Sequence, residues 1–97
     1  MRAEWDPAKE CANRTKHGLG FDEARALFES DADYLVIYDA EHSHDEDRFL
    51  AVGPISRGVI VVVYTELADD VVRIISARMA TPAERALYRQ YKGGRTP

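Results

Sequence analysis

Asp70 to Arg89, DVVRIISARMATPAERALYR, places two arginines inside an apolar stretch that runs directly into a capped helix. Val71, Val72, Ile74 and Ile75 supply the β-branched bulk of a buried strand. Thr81-Pro82-Ala83-Glu84 is a capping box with proline at the first helical position. Such a strand keeps Arg73 and Arg78 only where the guanidinium groups reach solvent, a carboxylate or a ligand anion. Arg78 lies close to a helix N-terminus, whose free N–H groups favour anions. Two readings of it stand side by side: a phosphate pocket, or an internal salt bridge to Asp6, Glu84 or an acid of the middle segment. Arg73 and Arg78 are an odd number of residues apart, so a regular strand turns them to opposite faces. They serve one site only if a bulge or the strand end intervenes.

Two other places carry groups suited to chemistry. Glu46-Asp47-Arg48-Phe49-Leu50 alternates, which puts Glu46, Arg48 and Leu50 on one face of a strand. There Glu46 is either the partner of a structural ion pair or a base held beside a cation. Lys16 and His17 precede Gly18 at a predicted helix end, where basic side chains suit the negative pole of the dipole. Imidazole is also the side chain that exchanges protons near neutral pH. His42 and His44 sit among the acids of residues 39–47 without a second set of ligands, so the segment reads as a solvated loop and no metal site is assigned. Cys11 is the single cysteine and reads as a small hydrophobe in a reducing compartment.

The elements that must position these groups follow from periodicity. A chain of 97 residues reads as one domain, 1–97, with a single core. It has no apolar run of membrane-spanning length and no leader, which predicts a soluble cytoplasmic protein without membrane contact. Arg2 to Trp5 is a short strand candidate, and Asp6-Pro7 opens a helix to about Lys16. Phe21 to Ser30 is a second helix, with Phe21, Ala24, Leu27 and Phe28 on one face. Strands are predicted over Tyr34–Tyr38, Arg48–Ile55, Val59–Glu66 and Val71–Ala77, the last three joined by hairpin turns. Thr81 to Tyr91 closes the chain as a helix, with Leu87, Tyr88 and Tyr91 toward the sheet and Gly93-Gly94 as its stop. Val59 to Val63 is apolar at both parities and should be a central strand covered on both faces. The fold class is therefore α+β, with helices on a mostly antiparallel sheet.

The net charge of −4 hides a segregation. Residues 21–47 carry ten acidic groups against one basic, whereas residues 71–97 carry six basic against one acidic. A basic end suits a polyanion, and an acidic middle suits a basic partner or the chain's own arginines.

Glu4-Trp5-Asp6-Pro7, Lys9, Asn13, Lys16-His17-Gly18, Phe21, Ala24 and Phe28 together form a recognisable pattern. It continues through Asp39, His42, Glu46-Asp47-Arg48, Gly53, Val63-Tyr64-Thr65, Arg73 to Arg78, Ala80, Glu84-Arg85 and Tyr88. In this order the residues resemble the BrnT family of type II toxins, within the RelE/ParE-like group of small ribonucleases and gyrase poisons. The resemblance implies a RelE-like fold and a metal-independent, cofactor-free endoribonuclease that arrests translation. It also implies a BrnA-type antitoxin that silences the toxin, and DNA contact only through that antitoxin in an autorepressing complex.

With RNA as substrate, cleavage needs a base for the ribose 2′-OH, cations for the phosphorane-like charge and an acid for the leaving oxygen. The candidate catalytic residues are then Lys16, His17, Glu46, Arg48 and Arg78, with Arg73 and Tyr64 as RNA-binding residues and Tyr64 able to stack on a base. Family members often carry arginine where this chain has Val59 and Leu67, which removes positive charge from the sheet. Two alternatives therefore accompany the toxin reading. One is a weak or inactive homologue acting as a co-repressor module, and the other is a ParE-like gyrase inhibitor.

Overall fold

The protein, described by a computed structural model over residues 1–30 and 33–94, combines a run of strands with helices before and after it. Its elements are β1 (Arg2–Glu4), α1 (Pro7–His17), α2 (Phe21–Glu29), β2 (Leu35–Tyr38), β3 (Phe49–Ile55), β4 (Gly58–Ala68), β5 (Val71–Met79) and α3 (Pro82–Gly94). One 3₁₀ turn, Ala40–His42, lies between β2 and β3. The last three residues of the domain expected over 1–97 lie outside the described residues.

Local chemistry accounts for the helix ends. Asp6 caps α1 by accepting a hydrogen bond from the Ala8 N–H at 2.9 Å, and Gly18 ends it at φ 69° with its N–H on the Arg14 carbonyl. The final helix runs through Gly93 into Gly94, past the expected stop. Its half-buried stripe includes Glu84, Tyr88 and Tyr91; Leu87, expected against the sheet, is 47% exposed, because it lies on the flank of that stripe and not at its centre.

The sheet order is β1-β5-β4-β3-β2, with β1 parallel to β5 and every other pair antiparallel. β4 is central, as its apolar run requires. Its even residues Ile60, Val62 and Tyr64 join Phe21, Ala24, Leu27 and Phe28 of α2 and Ile74 of β5 in the larger core. Its odd residues Val59 and Val61 meet Val52, Leu35, Ala80 and Tyr88 in a smaller cluster beneath α3. Gly53 permits α2 to sit close, since a Cβ there would lie 2.8 Å from Leu27 Cδ1 and 2.7 Å from Tyr34 Cβ.

Tyr64 is therefore a core residue and not a base-stacking one. Only 4% of it is exposed, and its ring lies between Phe28 at 5.0 Å and Phe49 at 5.6 Å. Burial pushes its hydroxyl pKa up to about 12.

The register between β4 and β5 shifts after Val63. Val63 pairs with Ser76 and Tyr64 with Ile74, which leaves Ile75 as an extra residue. The bulge reverses parity along β5, so Arg73 opposite Thr65 and Arg78 opposite Val61 share the face that α3 packs on.

Candidate active site

The cover provided by α3 ends before the face does. Beyond it lies an open depression of about 420 Å³, with Leu50 and Val63 in its lining and Arg48 and Arg78 among its polar groups. Asp39, Glu41, His42, Ile75 and Ser76 complete it.

Arg48 is placed by a stitched loop. Its N–H donates to Ser43 Oγ at 2.9 Å, and its carbonyl accepts from the Asp39 N–H at 2.9 Å. The Ser43 hydroxyl in turn donates to the Asp39 carbonyl at 2.6 Å. One residue earlier, the Asp47 carbonyl accepts from the buried Thr65 hydroxyl at 2.7 Å, and the Asp47 carboxylate accepts from Tyr38 at 3.0 Å. The backbone is thus fixed on both sides of Arg48. Among the described residues, Arg48 Nε is shut off from solvent without a hydrogen-bond acceptor. Glu46 Oε1 stands 3.7 Å away, close enough for ionic attraction and too far for a hydrogen bond.

Arg78 is held in the opposite way. Its Nη1 and Nη2 donate to the two carboxylate oxygens of Glu84 at 2.7 and 2.8 Å, a bidentate pair. Glu84 is also the third residue of the α3 cap: it accepts from the Thr81 N–H at 2.9 Å while its own N–H donates to Thr81 Oγ1 at 3.2 Å. The Arg78 hydrogen bond holds the Glu84 carboxyl at about 2, well below its ordinary 4.5, and Glu84 raises the Arg78 guanidinium in return. Of the acids weighed as internal partners for Arg78, Glu84 is the one engaged. Arg78 Nε and one hydrogen of Nη2 are left outside that pair.

The other candidates do not converge here. Arg73 pairs with Glu4 of the edge strand β1 at 3.2 Å, and both are about half exposed. Lys16 and His17 end α1, which lies across the sheet. Asn13 of that helix donates to the Leu19 and Ala77 carbonyls at 2.9 and 2.8 Å and accepts from the Ala77 N–H at 3.1 Å. The Ala77 side chain belongs to the larger core, on the face opposite Arg78. Lys16 and His17 are thereby separated from Arg48 and Arg78 by the thickness of the sheet. Alternation of β5 side chains places them there, because α1 docks on the Ala77 side.

Sequence reasoning counted Asp39 and His42 in the family pattern and weighed His42 as a metal ligand, but gave neither a role in cleavage. His42 Nδ1 lies 2.9 Å from Asp39 Oδ2, and both line the arginine depression. Their spacing of three residues was the available signal, and it becomes a contact only through the 3₁₀ turn.

Comparison with known proteins bears on the family and the fold. The family model described as "Ribonuclease toxin, BrnT, of type II toxin-antitoxin system" matches residues 5–84, a span that includes Arg48, Arg78 and Glu84. Among solved structures, the 1.1 Å crystal structure of the Brucella abortus ribonuclease toxin BrnT is similar at a TM-score of 0.65 and 26% identity. The match covers 84% of this chain and 97% of that one. No curated protein matches. The family match extends over most of the chain and the solved relative shares its fold, so this chain belongs to the BrnT family of ribonuclease toxins of type II toxin-antitoxin systems.

Proposed function

We propose that this chain is a metal-independent endoribonuclease that works in the cytoplasm, arrests translation and is silenced by a BrnA-type antitoxin. The observation that carries the reading is Arg48, a guanidinium with a fixed backbone and no side-chain hydrogen bond among the described residues, facing a depression it shares with Arg78. A scissile phosphate seated there is met by a planar fork of donors from Arg48 and by the outer donors of Arg78. Both stabilise the charge that gathers on the non-bridging oxygens as the 2′-oxygen attacks. Glu46 holds Arg48 in place by charge, and Glu84 does so for Arg78 by hydrogen bonds. The acidic stretch of sequence over residues 21–47 offers a basic antitoxin its docking charge, and DNA is reached only through that partner.

Induced expression in bacteria tests the reading. Growth arrest that Arg48→Ala abolishes and that co-expression of the antitoxin prevents supports it, and RNA cleavage by the purified protein in chelator extends it. Unimpaired growth with the protein present overturns it. It favours the second reading, a non-catalytic co-repressor module, for which Val59 speaks: it packs into the apolar cluster with Tyr88, where an arginine would add charge to the sheet.

A further inference from the structure

We propose that His42 is the general base of RNA cleavage and that Asp39 is its positioning residue; the proposal rests on the ribonuclease reading. The chain has three histidines. His17 lies on the far side of the sheet. His44 stands in the loop beside the site but does not line the depression that holds Arg78. His42 lines both that depression and the adjoining hollow with Glu46, and its Nδ1 is 2.9 Å from Asp39 Oδ2.

The asymmetry of the pair gives it direction. Asp39 keeps 17% of its side chain exposed and His42 keeps 62%. The carboxylate is therefore the anchored member and the imidazole the presented one. Asp39 is anchored through its backbone as well, by its N–H on the Arg48 carbonyl at 2.9 Å and its carbonyl under the Ser43 hydroxyl at 2.6 Å. An ionised carboxylate only accepts hydrogen bonds, so it fixes the imidazole proton on Nδ1 and leaves the Nε2 lone pair available. The hydrogen-bonded loop that sets the phosphate-binding guanidinium thus also sets the base.

The step balances without a further reactant. His42 Nε2 takes the 2′-OH proton, and the 2′-oxygen forms a bond to phosphorus as the bond from phosphorus to the 5′-oxygen breaks. The 5′-oxygen leaves with a proton from solvent, and His42 returns its own proton to solvent. The products are a 2′,3′-cyclic phosphate and a 5′-hydroxyl.

The test uses the full chain, an RNA oligonucleotide in chelator under single turnover, and the 2′-O-methyl form of the same oligonucleotide as a binding probe. His42→Gln is expected to lower the saturating cleavage rate by about 10²-fold or more, within the range of a lost acid–base group. Binding of the probe stays within about threefold of wild type, because the lost interaction belongs to the transition state. Asp39→Asn lowers the same rate by about tenfold or more with KM unmoved, as expected of a residue that acts through the imidazole. His42 is exposed, so an unchanged melting temperature accompanies the loss. A His42→Gln rate within about threefold of wild type, beside an inactive Arg48→Ala, overturns the base assignment and leaves the ribonuclease reading standing. A rate loss matched by weakened probe binding also overturns it. A wild-type chain that leaves RNA intact overturns the ribonuclease reading and this proposal together.

Discussion

The two faces of the sheet are built on opposite rules. The face under α1 and α2 is closed by aromatic and aliphatic groups: Phe21, Leu27, Ile60 and Ile74 are no more than 1% exposed. The face under α3 is closed where Tyr88 meets Val61 and Val52 and open toward Arg48, with Arg78 at the boundary between the two, beside Val61. Stability is concentrated on one side and charge on the other. A polyanion can therefore be engaged without disturbing the core.

The contrast predicts separable effects. Phe21→Ala removes a fully buried ring that packs edge-on against Trp5 at 6.1 Å, and is expected to cost about 3–5 kcal/mol of stability in chemical denaturation. Arg48→Ala should lower RNA cleavage by about 10²–10³-fold, the scale of one lost oxyanion donor, measured as initial rates in chelator. Its melting temperature should hardly move, since the substitution also removes a buried Nε that has no acceptor. Equal loss of stability in the two variants would dissolve the distinction between the faces.

Glu84 tests the junction between cap and site. Its carboxyl is held at about 2 in the folded chain against an ordinary 4.5. A depressed carboxylate contributes stability that is present above its unfolded value and lost as pH falls through its folded value. The wild-type melting temperature should therefore decline between pH 4.5 and about 2 more steeply than that of Glu84→Gln. At neutral pH the variant should be less stable by about 1 kcal/mol, a modest figure because Arg78 keeps part of its side chain in solvent.

How much of this was legible in the sequence differs by feature. The α2 face and the β4 run announce themselves because burial imposes a period of 3.6 or a loss of alternation. Thr81 to Glu84 announced the α3 cap, and Glu84 was among the acids considered for Arg78. Tyr64 was misread because an aromatic on a strand has the same letters whether it faces helix or solvent, and register decides between them. The bulge at Ile75 was required as a condition, but a β-branched run carries no mark of where the extra residue falls. The Asp39–His42 contact depends on a single 3₁₀ turn and the Ser43 hydroxyl, features that give no periodic signal.

Lys16→Ala is the smallest expected effect and bears on the comparison most directly. Lys16 is exposed at the end of α1, across the sheet from the arginines. A charge so placed reaches the site only through solvent, where a Debye length of about 8 Å at physiological salt screens it. Cleavage should stay within about twofold of wild type at that salt, with a slightly larger fall at low salt. A tenfold loss that persists at high salt would require Lys16 to touch the RNA. The substrate path would then have to pass around the β5 edge to the helical face, and the open half of the α3 face would be only part of the interface.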